Sequence, residues 1–213
     1  YNFPKEDLKN ISPQQATNHP IWKMGKKISV DSATLMNKGL EIIEAHHLFE
    51  IPSESIEVVI HKQSIIHGLA LMKNGSLFGH FGKPSMLNPI DHALSWPEIK
   101  KNRVDPISIT DLNNLSIEQV DETKNRSLSL SRLALKKGGI FPIFLNAANE
   151  IAVNAFLNNQ IQFLDIIKII DKVIEDIGHC DNKSLETISD LEGIFSADNE
   201  ARKKALESIE LGF

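Results

Sequence analysis

The chain has 213 residues, 41% of them hydrophobic and 24% charged, which is enough for one large domain or two small ones built around apolar cores. A formal net charge of −5, with lysine and arginine scattered along the chain, argues against a surface made for nucleic acid or an acidic membrane. The single cysteine, Cys180, excludes an internal disulfide framework and a multi-cysteine zinc site, and fits a reducing compartment.

The opening "YNFPKEDLKN" has no initiator Met and no apolar signal-peptide core, and reads as loop from within a longer protein, so a fragment is expected. No run of about 18 apolar residues occurs, so no membrane span is expected. Ser12-Pro13 has the form of an N-cap followed by proline at the first helical position, and His19-Pro20 ends that short helix. "HPIWKMGKK" then reads as loop, and residues 32–49 carry apolar side chains at helical spacing. Residues 56–60, "IEVVI", form a β-rich run, while 65–72 and 76–81 flank Lys73-Asn74-Gly75 as a hairpin. Asn88-Pro89 opens a short helix that Pro97 closes.

Residues 98–125 show no sustained period and predict a linker with one strand at 106–110. After it come helical patterns at 126–137, 146–158, 163–176 and from Asp198 onward, whose stripes can be buried only against one another. The predicted organisation is an α/β (α+β) domain with a mostly antiparallel or mixed sheet over 1–97, a linker over 98–125, and a helical bundle over 126–213. Glycine pairs and single glycines punctuate the bundle, as at Gly138-Gly139 and Gly178.

Within 32–49, roughly 100° per residue from Ser32 places Asn37, Glu41 and Lys38 at about 140°, 180° and 240°, opposite a core face of Leu35, Met36, Leu40, Ile42 and Ile43. On helix geometry alone a solvated face with a Lys38–Glu41 pair explains this better than a ligand site does. Asp31-Ser32 stands where an N-cap belongs, and exposed helix amides beside Ser32, Asn37 and Lys38 suit a phosphate. Glu44 and His47 form a Glu-x-x-His pair of di-iron type, but no second copy follows in the helical half. His61 and His67 are candidate metal ligands or hydrogen-bonded structural groups.

"HPIWKMGKKISVDSATLMNKGLEIIEAHHLF" resembles the central segment of the 1-deoxy-D-xylulose 5-phosphate reductoisomerase family. The similarity continues through "IEVVIHKQSIIHGL", the "NGS" hairpin, "FGKPSM", "PIDHALSWP" and "LNAANEIAVNAFL". It implies rearrangement of 1-deoxy-D-xylulose 5-phosphate and its reduction by NADPH to 2-C-methyl-D-erythritol 4-phosphate, in non-mevalonate isoprenoid synthesis. By resemblance Ser32, Asn37 and Lys38 hold substrate oxygens, chiefly the phosphate, and Glu41 is one of three carboxylate ligands of a Mg²⁺ or Mn²⁺ ion. His19 and Trp22 belong to a loop that closes over substrate, Met24 and Gly25 lie next to the nicotinamide, and His67 gains a functional part.

The family's glycine-rich dinucleotide domain, and the Asp-Ser-Glu segment with the other two metal carboxylates, would precede Tyr1, with Phe3-Pro4 belonging to the sequence that follows them. This polypeptide alone is therefore expected to lack the NADPH site and to be inactive. "GGIFPIFL", 138–145, departs from a more alanine- and threonine-rich run in the family, which bears on bundle packing. The resemblance also implies a homodimer formed through the sheet and a cytoplasmic or plastid-type setting. The alternative from another class is a non-catalytic phosphate-binding and dimerisation module.

Overall fold

The structure is a computed structural model that describes residues 7–100, 104–178 and 190–212. Cys180 and Phe3-Pro4 lie outside the described residues. The chain divides into two compact units: Tyr1–His19, Met24–Glu57 and Asp121–Phe213 form one, and Pro20–Lys23 with Val58–Val120 form the other.

The first unit is helical. α1 (Pro13–Thr17) starts as the sequence predicts, with Ser12 and Gln15 capping each other's backbone amides. α2 (Lys26–Thr34) and α3 (Met36–Phe49) follow, where one helix over 32–49 was expected. The chain leaves the helix at Leu35, which is left-handed at φ 61° and ψ 11°. Thr34 Oγ1 turns back to donate to Asp31 O at 3.2 Å, and the Thr34 carbonyl is taken by Ser127 Oγ at 2.6 Å, a bond that no local pattern announces.

α5 (Arg126–Lys137), α6 (Phe141–Leu157), α7 (Asp165–Gly178) and α8 (Leu191–Leu211) complete the unit. α6 and α8 begin earlier than predicted. Pro142 sits in the first turn of α6, where a missing N–H costs nothing, and Asp190 caps α8 by accepting from Gly193 N at 2.7 Å. α6 is the hub, packing against α7, α8, α5 and α2. Ala197, Ala201 and Ala205 bury one stripe of α8 at four-residue spacing, and α8 packs on α6. Phe144, Phe156, Leu130, Ile166, Ile169 and Ile170 are fully buried, each stabilising by about 1.5–3 kcal/mol through the water its surface releases.

This division differs from the expected boundaries at 97 and 125. α2 and α3 pack on α6 and α5, so the buried stripe of α3 (Met36, Gly39, Ile42, Ile43) belongs with the bundle. Arg132 of α5 adds to the joint by donating to the carbonyl oxygens of Ser53 and Ile56 at 2.5 and 2.7 Å.

The second unit is built on two antiparallel ladders. β1 (Val59–Ile60) pairs with β4 (Glu118–Gln119), and β2 (Ile66–Leu71) pairs with β3 (Leu77–Phe81) in a register that sets Leu71 opposite Leu77. Lys73-Asn74-Gly75 makes the predicted hairpin, with Gly75 at φ 83° and Asn74 Oδ1 accepting from Ser76 N. α4 (Leu87–Ser95) ends before Pro97 as read. The strand expected at 106–110 is absent: Ser108 and Asp111 form a capping box there that starts a 3₁₀ turn, Ile109–Leu112. Residues 98–125 are thus not a separate linker, because Glu118–Gln119 completes a ladder with β1. The α+β class holds, with helices dominant and both sheets small.

Candidate functional site

Three of the predicted residues meet at the start of α3. Asn37 Nδ2 donates to Glu41 Oε1 at 2.5 Å, and Lys38 Nζ donates to Glu41 Oε2 at 2.6 Å. Helical spacing brings them together, since i+3 and i+4 neighbours share a face. The side chains of Lys38 and Glu41 remain 46% and 45% exposed, so the pair contributes at most about 1 kcal/mol and opens readily for a ligand. Leu35, the residue before α3, brings no capping oxygen to the first turn. The amides of that turn and their partial positive charge face the same end as Asn37 and Lys38.

The anion site predicted beneath Ser32 is corrected in one respect. Asp31-Ser32 is not an N-cap: α2 begins at Gly25, and both residues lie in its last turns. Ser32 Oγ bonds back to Ile28 O at 2.9 Å, and Asp31 is buried, paired with Lys27 at 2.7 Å and accepting from Asn149 Nδ2 at 2.9 Å. The helix end that suits an anion is that of α3, and Ser32 stands on the other side of the Leu35 break.

His19, Met24 and Gly25 flank the start of α2 in the same unit. His19 is half-buried, and that burial holds its imidazole below the usual histidine range. Gly25 is the N-cap of α2, with open space where a Cβ would stand. Trp22, in the second unit, sets its ring edge-on to His67 with centroids 6.5 Å apart. His67 in turn lies 5.4 Å from the His80 ring. Burial first, and the neighbouring His80 second, hold His67 below its usual value of 6.5.

Glu41 is an oxygen donor suited to a hard divalent cation, but it is a single ligand. Among the described residues no group of three His, Cys, Asp or Glu side chains is placed to hold a metal. The Glu44–His47 alternative therefore finds no support: both are exposed, and the His47 ring packs edge-on against His46. His61 bonds through Nδ1 to Ser116 O at 2.7 Å, and its buried Nε2 has no hydrogen-bond partner among the described residues. Residues that the sequence did not single out are Ser127 and Asn149, which with Asp31 make the buried polar contacts of the α2–α3 elbow. α6 also carries Asn146, Glu150 and Asn154, and Asn149 is set apart from them by lying on the buried face between Ala148 and Ala152.

Two comparisons with protein families decide the assignment. Residues 81–204 match the DXP reductoisomerase C-terminal domain, and residues 1–49 match the 1-deoxy-D-xylulose 5-phosphate reductoisomerase C-terminal domain. The chain belongs to the 1-deoxy-D-xylulose 5-phosphate reductoisomerase family. Reductoisomerases of Zymomonas mobilis and Acetivibrio thermocellus are 43% and 45% identical to it over 204 and 205 residues, covering 96% of this chain in both cases. It spans about half of their length, 51% and 52% respectively. The Zymomonas mobilis reductoisomerase solved with NADPH superposes with a TM-score of 0.84 at 41% identity, over 96% of this chain and 51% of that one. A reductoisomerase solved with NADPH, fosmidomycin and magnesium superposes with a TM-score of 0.88 at 41% identity, over 99% of this chain and 52% of that one.

Proposed function

We infer that the chain supplies the phosphate anchor and one metal carboxylate of a 1-deoxy-D-xylulose 5-phosphate reductoisomerase. The observation that carries this is the convergence of Asn37 and Lys38 on Glu41 at the start of α3, where Thr34 Oγ1 accepts from Met36 N at 3.4 Å and Leu35 brings no side-chain cap. In this reading Lys38 and Asn37 turn from Glu41 to the substrate phosphate, with Ser32 donating from across the elbow. Binding energy gathered there, remote from the bonds that change, holds the sugar in place for rearrangement to 2-C-methyl-D-erythritol 4-phosphate. Glu41, released from Lys38, offers its carboxylate to Mg²⁺ or Mn²⁺; the ion, when bound, polarises the substrate carbonyl. His19 and Trp22 exclude water by closing over the substrate, and Met24 and Gly25 border the nicotinamide of NADPH.

The remaining metal carboxylates and the NADPH domain fall, in this reading, to the half of the relatives' length outside the matched span. The second unit is the homodimer surface: Leu71, Phe78 and Leu77 of its hairpin are 75%, 62% and 61% exposed, which a partner sheet would cover. The setting is the bacterial cytoplasm or a plastid-type organelle. A second reading, a non-catalytic module that binds phosphate and dimerises, is favoured by the single carboxylate that the described residues offer a metal.

NADPH oxidation with 1-deoxy-D-xylulose 5-phosphate and Mn²⁺, by the product of the complete reading frame and by this chain alone, tests these readings. The complete product turns over, Glu41→Gln abolishes turnover and Mn²⁺ binding, and Lys38→Ala chiefly raises KM. Wild-type turnover and Mn²⁺ affinity in Glu41→Gln would overturn the assignment of Glu41. Phosphate binding without turnover by the complete product would select the second reading.

A further inference from the structure

The elbow between α2 and α3 carries Ser32 on one side and Asn37, Lys38 and Glu41 on the other. Its hinge residue, Leu35, is left-handed, a conformation that costs a non-glycine residue about 1–2 kcal/mol and persists only where the surroundings over-determine it. Two helices supply those surroundings. From α5, Ser127 Oγ donates to Thr34 O at 2.6 Å, 93 residues away in sequence, and both groups are buried. Ser131, the next turn of α5, lies so close to Gly39 that a Cβ there would stand 2.1 Å from its Oγ.

From α6, Asn149 Nδ2 donates to Asp31 Oδ1 at 2.9 Å, 118 residues away, while the other carboxylate oxygen of Asp31 pairs with Lys27. Asn149 is fully buried, and its own carbonyl oxygen has no hydrogen-bond partner among the described residues. A buried amide that satisfies only part of its hydrogen-bonding capacity is a poor stabiliser, yet an apolar side chain in its place would leave Asp31 Oδ1 buried without its donor. What the amide does supply is direction: it fixes where the last turn of α2 stands relative to α6.

We propose that Asn149 and Ser127 are positioning residues of the site, holding the α2–α3 elbow from two helices and thereby setting the spacing between Ser32 and the Asn37–Lys38–Glu41 cluster. This rests on the reading of that cluster as the phosphate anchor. Both bonds hold the last turn of α2, at Asp31 and at Thr34, while the close approach of Ser131 to Gly39 fixes the first turn of α3. Loss of either lets Leu35 relax toward helical geometry and swings Ser32 away from the α3 amides. The helical half of the chain therefore governs substrate affinity without touching the substrate.

The test uses the product of the complete reading frame, with fosmidomycin as probe, and reads three quantities: fosmidomycin affinity, melting temperature, and amide exchange across residues 32–41. Asn149→Leu strands the buried Asp31 Oδ1 and is expected to lower the melting temperature by a few degrees, while affinity falls about tenfold to a hundredfold and exchange at the elbow speeds up. Asp31→Asn retains an acceptor oxygen for the Asn149 amide, and is expected to keep both affinity and exchange near wild type. Ser127→Ala, which removes only a hydroxyl, is expected to repeat the Asn149→Leu pattern and keeps the proposal testable if that variant fails to fold. Wild-type affinity and exchange in Ser127→Ala, or in a folded Asn149→Leu, would overturn the proposal, as would equal losses of melting temperature and affinity in Asp31→Asn. Lys38→Ala separates the two layers: unchanged fosmidomycin affinity there removes the phosphate reading, and the functional inference falls with it. Lost affinity in Lys38→Ala beside wild-type Asn149→Leu removes the positioning role alone.

Discussion

Gly39→Ala is a sharp test of how α3 meets α5. In an exposed helix this exchange stabilises by about 1 kcal/mol, because glycine has more backbone freedom to lose. Here the added methyl would lie 2.1 Å from Ser131 Oγ, 3.0 Å from Ser131 Cβ and 3.3 Å from the Ser127 carbonyl oxygen. The Oγ contact could be relieved by rotating Ser131, but that hydroxyl is fully buried and donates to Ser127 O at 3.0 Å, a bond worth about 1 kcal/mol. The contacts with Ser131 Cβ and Ser127 O then remain, and they move only if the two helices move apart. Overpacking of this kind costs about 1–3 kcal/mol, which exceeds the propensity gain and leaves a net loss of about 1 kcal/mol, or about 2–4 °C in melting temperature for a chain of this size. Thermal unfolding followed by far-ultraviolet circular dichroism measures it. Adding Ser131→Ala to Gly39→Ala removes the shortest contact and should restore part of the loss. A rise in melting temperature for Gly39→Ala alone would refute the close-packing argument.

Arg132→Met should destabilise the first unit by about 2–3 kcal/mol, read from a urea midpoint, since it strands the Glu122 carboxylate and the carbonyls of Ser53 and Ile56. Glu50→Gly should stabilise by about 0.5–1 kcal/mol, because exposed Glu50 ends α3 at φ 55° and only glycine adopts that geometry without penalty; a lower midpoint would count against it. His67 should titrate by proton NMR with a midpoint below 6.5, and His80→Gln should raise it toward that value. Because the folded state disfavours the protonated ring, the stability of the second unit is complete above pH 6.5 and falls as the pH drops below it. A midpoint at or above 6.5 would contradict the burial of that ring.

What could be read from the sequence follows from how local each signal is. The Ser12-Pro13 helix start, the Asn74-Gly75 hairpin and the helical pattern of α7 are each set by residues within a few positions of one another, and all three form where they were read. β1 shrank to Val59–Ile60 because its partner, Glu118–Gln119, lies in a stretch with no period of its own, and a strand is only as long as the edge it pairs with. The elbow shows the limit most clearly. A helical wheel begun at Ser32 placed Asn37, Lys38 and Glu41 on one face correctly, because all three lie after Leu35 and share the frame of α3. It could not place Ser32 on that face, because the break is made by Ser127 and Asn149, 93 and 118 residues distant from their partners. A phosphate needs donors from more than one direction, which a single straight helix face supplies poorly. On the proposed phosphate reading, the break that defeated the wheel lets two consecutive helices approach one anion from different sides, and the helices that hold the elbow come from the half of the chain in which no ligand residue was read.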